Sequence, residues 1–276
     1  MHPRILRTNL MHRQVISRAL SIVTTALIFA VLSADAMDGR ATGANSSEHT
    51  FADLLADQRN FFSRDSLYRL GMVFGGGAVM ANTPMDQRIQ DYYQDRIRNS
   101  GTDSFSKNAK QLGEGKYLIP LSVTLASLSF VAPDSRLGEF GMRTARAYLV
   151  GGIPLLALQR ATGAGRPGEY RCGSRWRPLH DSNGVSGHAF IGAAPFLVLA
   201  DMSDRPLLAY AAYVASAATA FSRINDDDHY LSQAVLGWHI AYEATRAVAK
   251  PRPSGRMELV PSLRGGHVGI MATVAW

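Results

Sequence analysis

The chain has 276 residues and a mass of 30.0 kDa, with 46% hydrophobic and 18% charged residues, which supplies a sizeable core and excludes wholesale disorder. Its net charge of +7 comes from 29 Lys and Arg against 22 Asp and Glu, yet Arg4, Arg7, Arg13 and Arg18 against Asp35 fall in the first 36 residues. The remaining 25 against 21 is a scattered +4, too weak to argue for nucleic acid, and the single cysteine, Cys172, excludes an internal disulfide and any cysteine-rich metal site.

The first element is a leader. Residues 19–34 carry no charge and follow a basic stretch, and Ala34-Asp35-Ala36 is a small-x-small cleavage site, so residues 1–36 have the order of a secretory signal peptide. Counted from Met11 the leader has 26 residues, which makes Met11 a candidate start. An uncleaved anchor helix is the alternative; no cysteine stands at the end of the apolar run, so a lipoprotein is excluded. The expected location is the periplasm or cell envelope, with attachment to the inner membrane left open. Residues 37–50 are polar and read as a linker.

From residue 51 to 250 the pattern is helical. Apolar stretches recur at 70–80, 117–132, 147–158, 189–200, 207–221 and 234–249, separated by Gly, Pro, Asp and Arg clusters. A membrane-spanning helix needs about 20 apolar residues. Residues 117–133 and 206–222 sit at the short edge of that range, and mean hydropathy is −0.05, so buried helices of a soluble bundle and short membrane helices both fit. In the tail, residues 251–276, Val268, Ile270, Ala272, Val274 and Trp276 alternate with Gly269, Met271, Thr273 and Ala275, a strand that residues 257–263 can pair with through Arg264-Gly265-Gly266. The expected fold class is therefore all-α, a bundle of about six core helices with a short C-terminal β-hairpin.

The chemistry concentrates between residues 159 and 233, in three segments suited to a phosphate. The first is Arg166-Pro167, preceded by Arg160 and followed by Arg171, Arg175 and Arg177, whose guanidinium forks match phosphate oxygens. The second is Ser186-Gly187-His188, directly before an apolar run, where a serine cap opens a helix whose free N–H groups favour an anion. The third is Ser222-Arg223 followed after five residues by His229, with Gln233 four residues further on and expected on the same helix face as His229, beside Leu236 and Ile240. Each segment has a bland reading: a solvated arginine loop, a capped helix with an incidental histidine, and a hydrogen-bonded core histidine. Their joint occurrence beside apolar helices favours the functional one.

In order and spacing these segments resemble the type 2 phosphatidic acid phosphatase superfamily, which includes lipid phosphatases, bacterial acid phosphatases and vanadium haloperoxidases. The family pattern is Lys-x6-Arg-Pro, then Pro-Ser-Gly-His, then Ser-Arg-x5-His-x3-Asp. Arg166-Pro167 matches the end of the first element, Ser186-Gly187-His188 the second, and Ser222, Arg223 and His229 the third, over roughly residues 145–250. Three positions depart: Gln159 stands at the family lysine, with Arg160 one place later as the substitute; Val185 replaces the proline; and Gln233 replaces the aspartate that orients the catalytic histidine. One of Asp226, Asp227 or Asp228 is a candidate source of the missing charge.

The resemblance implies a phosphatase acting on a phosphomonoester or a lipid phosphate or pyrophosphate. His229 would attack phosphorus through Nε2 to form a phosphohistidine, with Gln233 accepting its Nδ1–H. His188 would protonate the leaving oxygen and then activate water. Arg166, Arg223 and Arg160 would neutralise the phosphoryl oxygens together with Ser186 and the Gly187 N–H, with neither cofactor nor metal. The expected partner is thus a phosphorylated small molecule or lipid, with no nucleic acid and with membrane contact left open. Two rival functions are a non-catalytic exported or membrane-associated protein that binds a phosphate ligand and a vanadate-dependent haloperoxidase.

Overall fold

The computed structural model describes the backbone of residues 44–132, 134–169, 173–250, 257–264 and 267–274, and side chains between 52 and 250 within those ranges. The expected signal peptide, Arg171, Cys172 and Trp276 lie outside the described residues. The chain divides into two compact units, residues 1–52 and 53–276. Of the first, only the start of one helix is described; the second carries everything that follows.

The described residues are mostly helical. In chain order the helices are α1 (Ala44–Phe61), α2 (Arg64–Asn82), α3 (Met85–Tyr92) running into a π-helical turn (Tyr93–Ile97), α4 (Ser100–Gln111), α5 (Gly115–Val131) and α6 (Arg136–Thr162). They continue as α7 (Gly187–Met202), α8 (Pro206–Ala215), α9 (Ala218–Asn225) and α10 (Leu231–Ala249).

Two expectations are corrected. α1 begins at Ala44, inside the segment read as a linker, because polar composition reports exposure to water and not backbone conformation. The apolar stretch 207–221 forms two helices: the chain breaks at Ser216-Ala217, where the Ser216 hydroxyl donates to the Tyr213 carbonyl (2.6 Å) and accepts from Trp238 Nε1 (2.8 Å). By length and composition alone, Pro206–Asn225 is apolar enough to cross a membrane.

The core is built by α6, α7 and α10, whose Val150, Leu155, Phe190, Leu197, Leu236 and Ile240 are buried together with a run of alanines. Each large aliphatic side chain so buried contributes about 1.5–3 kcal/mol. α10 is not buried all round: Leu236 and Ile240 face the core, but Val235 is 42% exposed. Ion pairs fasten the first two helices to this core. Arg146 grips Asp57 of α1 with two bonds of 2.7 Å, and Arg69 of α2 grips the buried Glu243 at 2.6 and 2.7 Å.

Two local features aim the functional loops. α6 ends at Gly163, whose φ of +60° is open to glycine without steric cost, and the chain turns there towards Arg166. On α10, a Cβ added at Gly237 would fall 2.1 Å from the Ser186 carbonyl oxygen, so only glycine lets the loop before α7 close onto that helix.

Candidate active site

The three segments singled out in the sequence meet at the N-terminus of α10, and Gln233 is where they join. Its backbone carbonyl accepts from Ser186 N (2.9 Å), its Nε2 donates to the Gly165 carbonyl (2.7 Å), and its Oε1 lies 2.9 Å from His229 Nδ1 and accepts from Tyr230 N (3.2 Å). Gln233 therefore touches the segment before Arg166 and the histidine through its fully buried side chain, and the loop at Ser186 through its backbone carbonyl.

These contacts fix the imidazole. Because Nε2 of Gln233 is committed to a carbonyl, Oε1 is the end that faces His229. An amide oxygen only accepts, so Nδ1 carries the proton and Nε2 keeps its lone pair. His229 does not share a helix face with Gln233 as expected: α10 starts at Leu231 with Tyr230 as its cap, and His229 precedes the cap. The contact forms because Gln233, as third residue of the helix, reaches back across the cap, a geometry that spacing alone cannot distinguish from i,i+4.

Burial holds His229 at a pKa of about 4; the Gln233 hydrogen bond works in the other direction, and the nearby Arg166, Arg223 and His188 add to the lowering. The imidazole is therefore neutral at pH 7. His188, second residue of α7, is half-buried and its pKa is also lowered, first by burial and then by Arg223, while Glu114 and Asp228 pull it back up. Ser186 caps α7, its hydroxyl accepting from Ala189 N at 3.3 Å and retaining its own proton to donate.

Arg223, on α9, is 5% exposed. Its Nη2 donates to Asp228, and its Nε and Nη1 are buried with no hydrogen-bond partner. Unpaired guanidinium donors are costly to bury, so these two mark where an anion fits. Arg166 is half-buried, its Nε donating to Asn183 Oδ1 (2.9 Å), which leaves its two terminal nitrogens over. Substitution of Arg223 by lysine tests the two-donor reading. A lysine gathers its three donors on one nitrogen and cannot reproduce the planar fork that holds Asp228 on Nη2 while presenting Nε and Nη1 to an anion. If the chain turns over phosphomonoesters, as proposed below, Arg223→Lys should lower kcat/KM nearly as far as Arg223→Ala, by about 3–4 kcal/mol of transition-state stabilisation. A fully active lysine variant would place Arg223 outside the site.

Other predicted residues are placed differently. Gln159, not Arg160, lies at the Ser186 loop: its Nε2 donates to the Val185 carbonyl (2.8 Å) and stands 3.6 Å from where a Gly187 Cβ would be. Arg160 is exposed one step further round α6, so the substitution of the family lysine by its neighbour does not carry over; a helix of 3.6 residues per turn rotates about 100° per residue. None of the three aspartates is hydrogen-bonded to His229. Asp226 accepts from Ser106 Oγ (2.6 Å) and Lys110 Nζ (3.1 Å), Asp227 accepts from Gln90 Nε2 (2.6 Å) at a φ of +59°, and Asp228 pairs with Arg223.

Sequence reasoning missed the scaffold behind this loop. The buried carboxylate of Asp86 on α3 accepts from Ser232 N (3.1 Å) and the Ser232 hydroxyl, closing the start of α10. Gln90 and Gln94 both donate to the Ile224 carbonyl, at 3.1 and 2.9 Å, and Tyr93 donates to Asn225 Oδ1 (2.9 Å). The available signal was Asp86, Gln90 and Gln94 at four-residue spacing, a polar stripe that runs from a short helix into the π-helical turn and faces inward. α4 has a readable start, Asn99 and Thr102 forming a reciprocal cap, but nothing marked its Lys110.

Among the described residues no three His, Cys, Asp or Glu gather as a metal site. A separate cavity of about 410 Å³ is lined by Asp57, Glu139, Arg143 and Arg146, whose charges pair with one another. No family model, no curated protein and no solved structure matches the chain.

Proposed function

We propose that the chain is an exported phosphatase of the type 2 phosphatidic acid phosphatase kind, hydrolysing a phosphomonoester or a lipid phosphate or pyrophosphate through a phosphohistidine on His229. The observation that carries this reading is the pairing of a neutral, oriented imidazole with a buried arginine that has two unsatisfied donors. A nucleophile with its lone pair free and an anion receptor within its electrostatic reach are what in-line phosphoryl transfer requires.

In this mechanism His229 Nε2 attacks phosphorus, the P–O bond to the leaving group breaks, and His188 gives that oxygen a proton. His188 then takes a proton from water, which attacks the phosphohistidine and releases inorganic phosphate. Arg223 and Arg166 neutralise the equatorial oxygens, joined by the Ser186 hydroxyl and the N–H groups that open α7. A bound dianion raises the pKa of His188 and so equips it as the acid.

The purified chain is to be assayed against a phosphate ester, a phosphatidate and a prenyl pyrophosphate; hydrolysis of at least one is expected. Turnover should persist in EDTA and be inhibited by vanadate, which adopts a trigonal-bipyramidal geometry at a histidine. A requirement for added Mg²⁺ or Zn²⁺ would contradict the metal-free route. One observation favours a second reading, a non-catalytic phosphate-binding protein: Gln233 offers His229 an uncharged partner, which orients the ring without raising its basicity. Binding of phosphate without turnover of any ester would select it. Bromide oxidation with added vanadate and peroxide would instead reveal a haloperoxidase.

A further inference from the structure

We propose that Asp228 is a positioning residue that holds Arg223 in the orientation its phosphate-binding role demands, an inference that rests on the phosphatase reading above. Asp228 immediately precedes His229, and the loop that carries both folds back on Arg223: the backbone N–H groups of Asp228 and His229 donate to the Arg223 carbonyl at 2.9 and 3.1 Å. The Asp228 carboxylate then takes a hydrogen bond from Nη2 of the same residue. A guanidinium is planar, so one gripped nitrogen together with the buried side-chain stem fixes the plane, and the remaining donors Nε and Nη1 are presented unpaired.

The carboxylate is itself held from the other side. Lys110 Nζ of α4 stands 3.6 Å from Asp228 Oδ2 and 3.1 Å from Asp226 Oδ2, and Asp226 is anchored in turn by Ser106. Two cations thus face two carboxylates, so the charge of Asp228 is divided between Arg223 and Lys110. A free carboxylate beside a phosphate site would repel the ligand; one neutralised by Lys110 can hold Arg223 without that penalty.

The test measures, on the full chain, kcat and KM for a phosphomonoester and the dissociation constant of inorganic phosphate by calorimetry, in wild type, Asp228→Asn and Asp228→Ala, with melting temperature recorded alongside. Asparagine keeps an oxygen that accepts from Nη2; alanine does not. We expect Asp228→Asn to stay within about threefold of wild type in both binding and kcat, and Asp228→Ala to weaken phosphate by about tenfold or more. Rescue by asparagine separates positioning from charge. Tighter phosphate binding by about tenfold in Asp228→Asn would overturn the proposal, since Asp228 would then be a competing anion. Asp228→Asn as impaired as alanine, or alanine equal to wild type, would also overturn it. Should Asp228→Ala not fold, Asp228→Ser, whose side chain is too short to reach Nη2, takes its place with the same expected loss and the same overturning results. Absence of phosphate binding and turnover in the wild type would instead refute the phosphate site itself, and this inference with it.

Discussion

His229→Ala should abolish turnover of every phosphorylated substrate while leaving a folded protein. The imidazole is the only protein nucleophile in the proposed mechanism, and loss of a nucleophile typically lowers kcat by several orders of magnitude. The fold should survive because α10 begins after His229 and is closed by Tyr230, Asp86 and Ser232, none of which needs the imidazole. The substitution removes the hydrogen bond from Nδ1–H to Gln233 Oε1, and that amide keeps Tyr230 N and the Gly165 carbonyl as partners. The measurement is kcat with melting temperature as control. Retention of more than about a tenth of the activity would remove His229 from the nucleophile's role.

The second large effect belongs to Gln233. Gln233→Leu strips acceptors from His229 Nδ1 and Tyr230 N and a donor from the Gly165 carbonyl, all around a fully buried side chain. Each orphaned buried group costs about 1–3 kcal/mol, so both stability and activity should fall, the latter by about two orders of magnitude as the ring loses its fixed tautomer. Gln233→Asp does something different. A carboxylate beside Nδ1 favours the imidazolium, so the pKa of His229 must rise from about 4. The nucleophile works only unprotonated, and the acidic limb of the kcat/KM profile should therefore move to higher pH. An unmoved limb in Gln233→Asp, or a Gln233→Leu variant equal to wild type, would mean that the residue does not orient the histidine.

Why some of this could be read from the sequence and some could not is a matter of range. The apolar stretches at 147–158, 189–200 and 234–249 became parts of α6, α7 and α10 and bury Val150, Phe190 and Leu236, whereas α5 leaves Leu121, Leu128, Phe130 and Val131 exposed, so hydropathy located helices without reporting how far each is buried. The division of 207–221 into α8 and α9 is set by Ser216 and its tertiary partner Trp238, which no local pattern encodes. At the site, the pairing of His229 with Gln233 was legible because four residues bring two side chains together whether through a helix face or through a cap. The side of α6 on which position 159 or 160 falls depends on the helix phase against the Ser186 loop, and Gln159 won. The roles of Asp226, Asp227 and Asp228 were illegible for the same reason. Their partners Lys110, Ser106 and Gln90 come from polar helices more than a hundred residues earlier, which a search for apolar periodicity passes over.

Everything in the proposed mechanism turns on a covalent intermediate at His229, and rapid quenching of the protein during turnover of a ³²P-labelled substrate would trap it. The expected result is label bound to the chain that is released by acid and stable in alkali, as a phosphoramidate is. That label should map to the peptide carrying His229 and be missing in His229→Ala. Turnover with no trapped label, or label on any other residue, would contradict a phosphohistidine at this position.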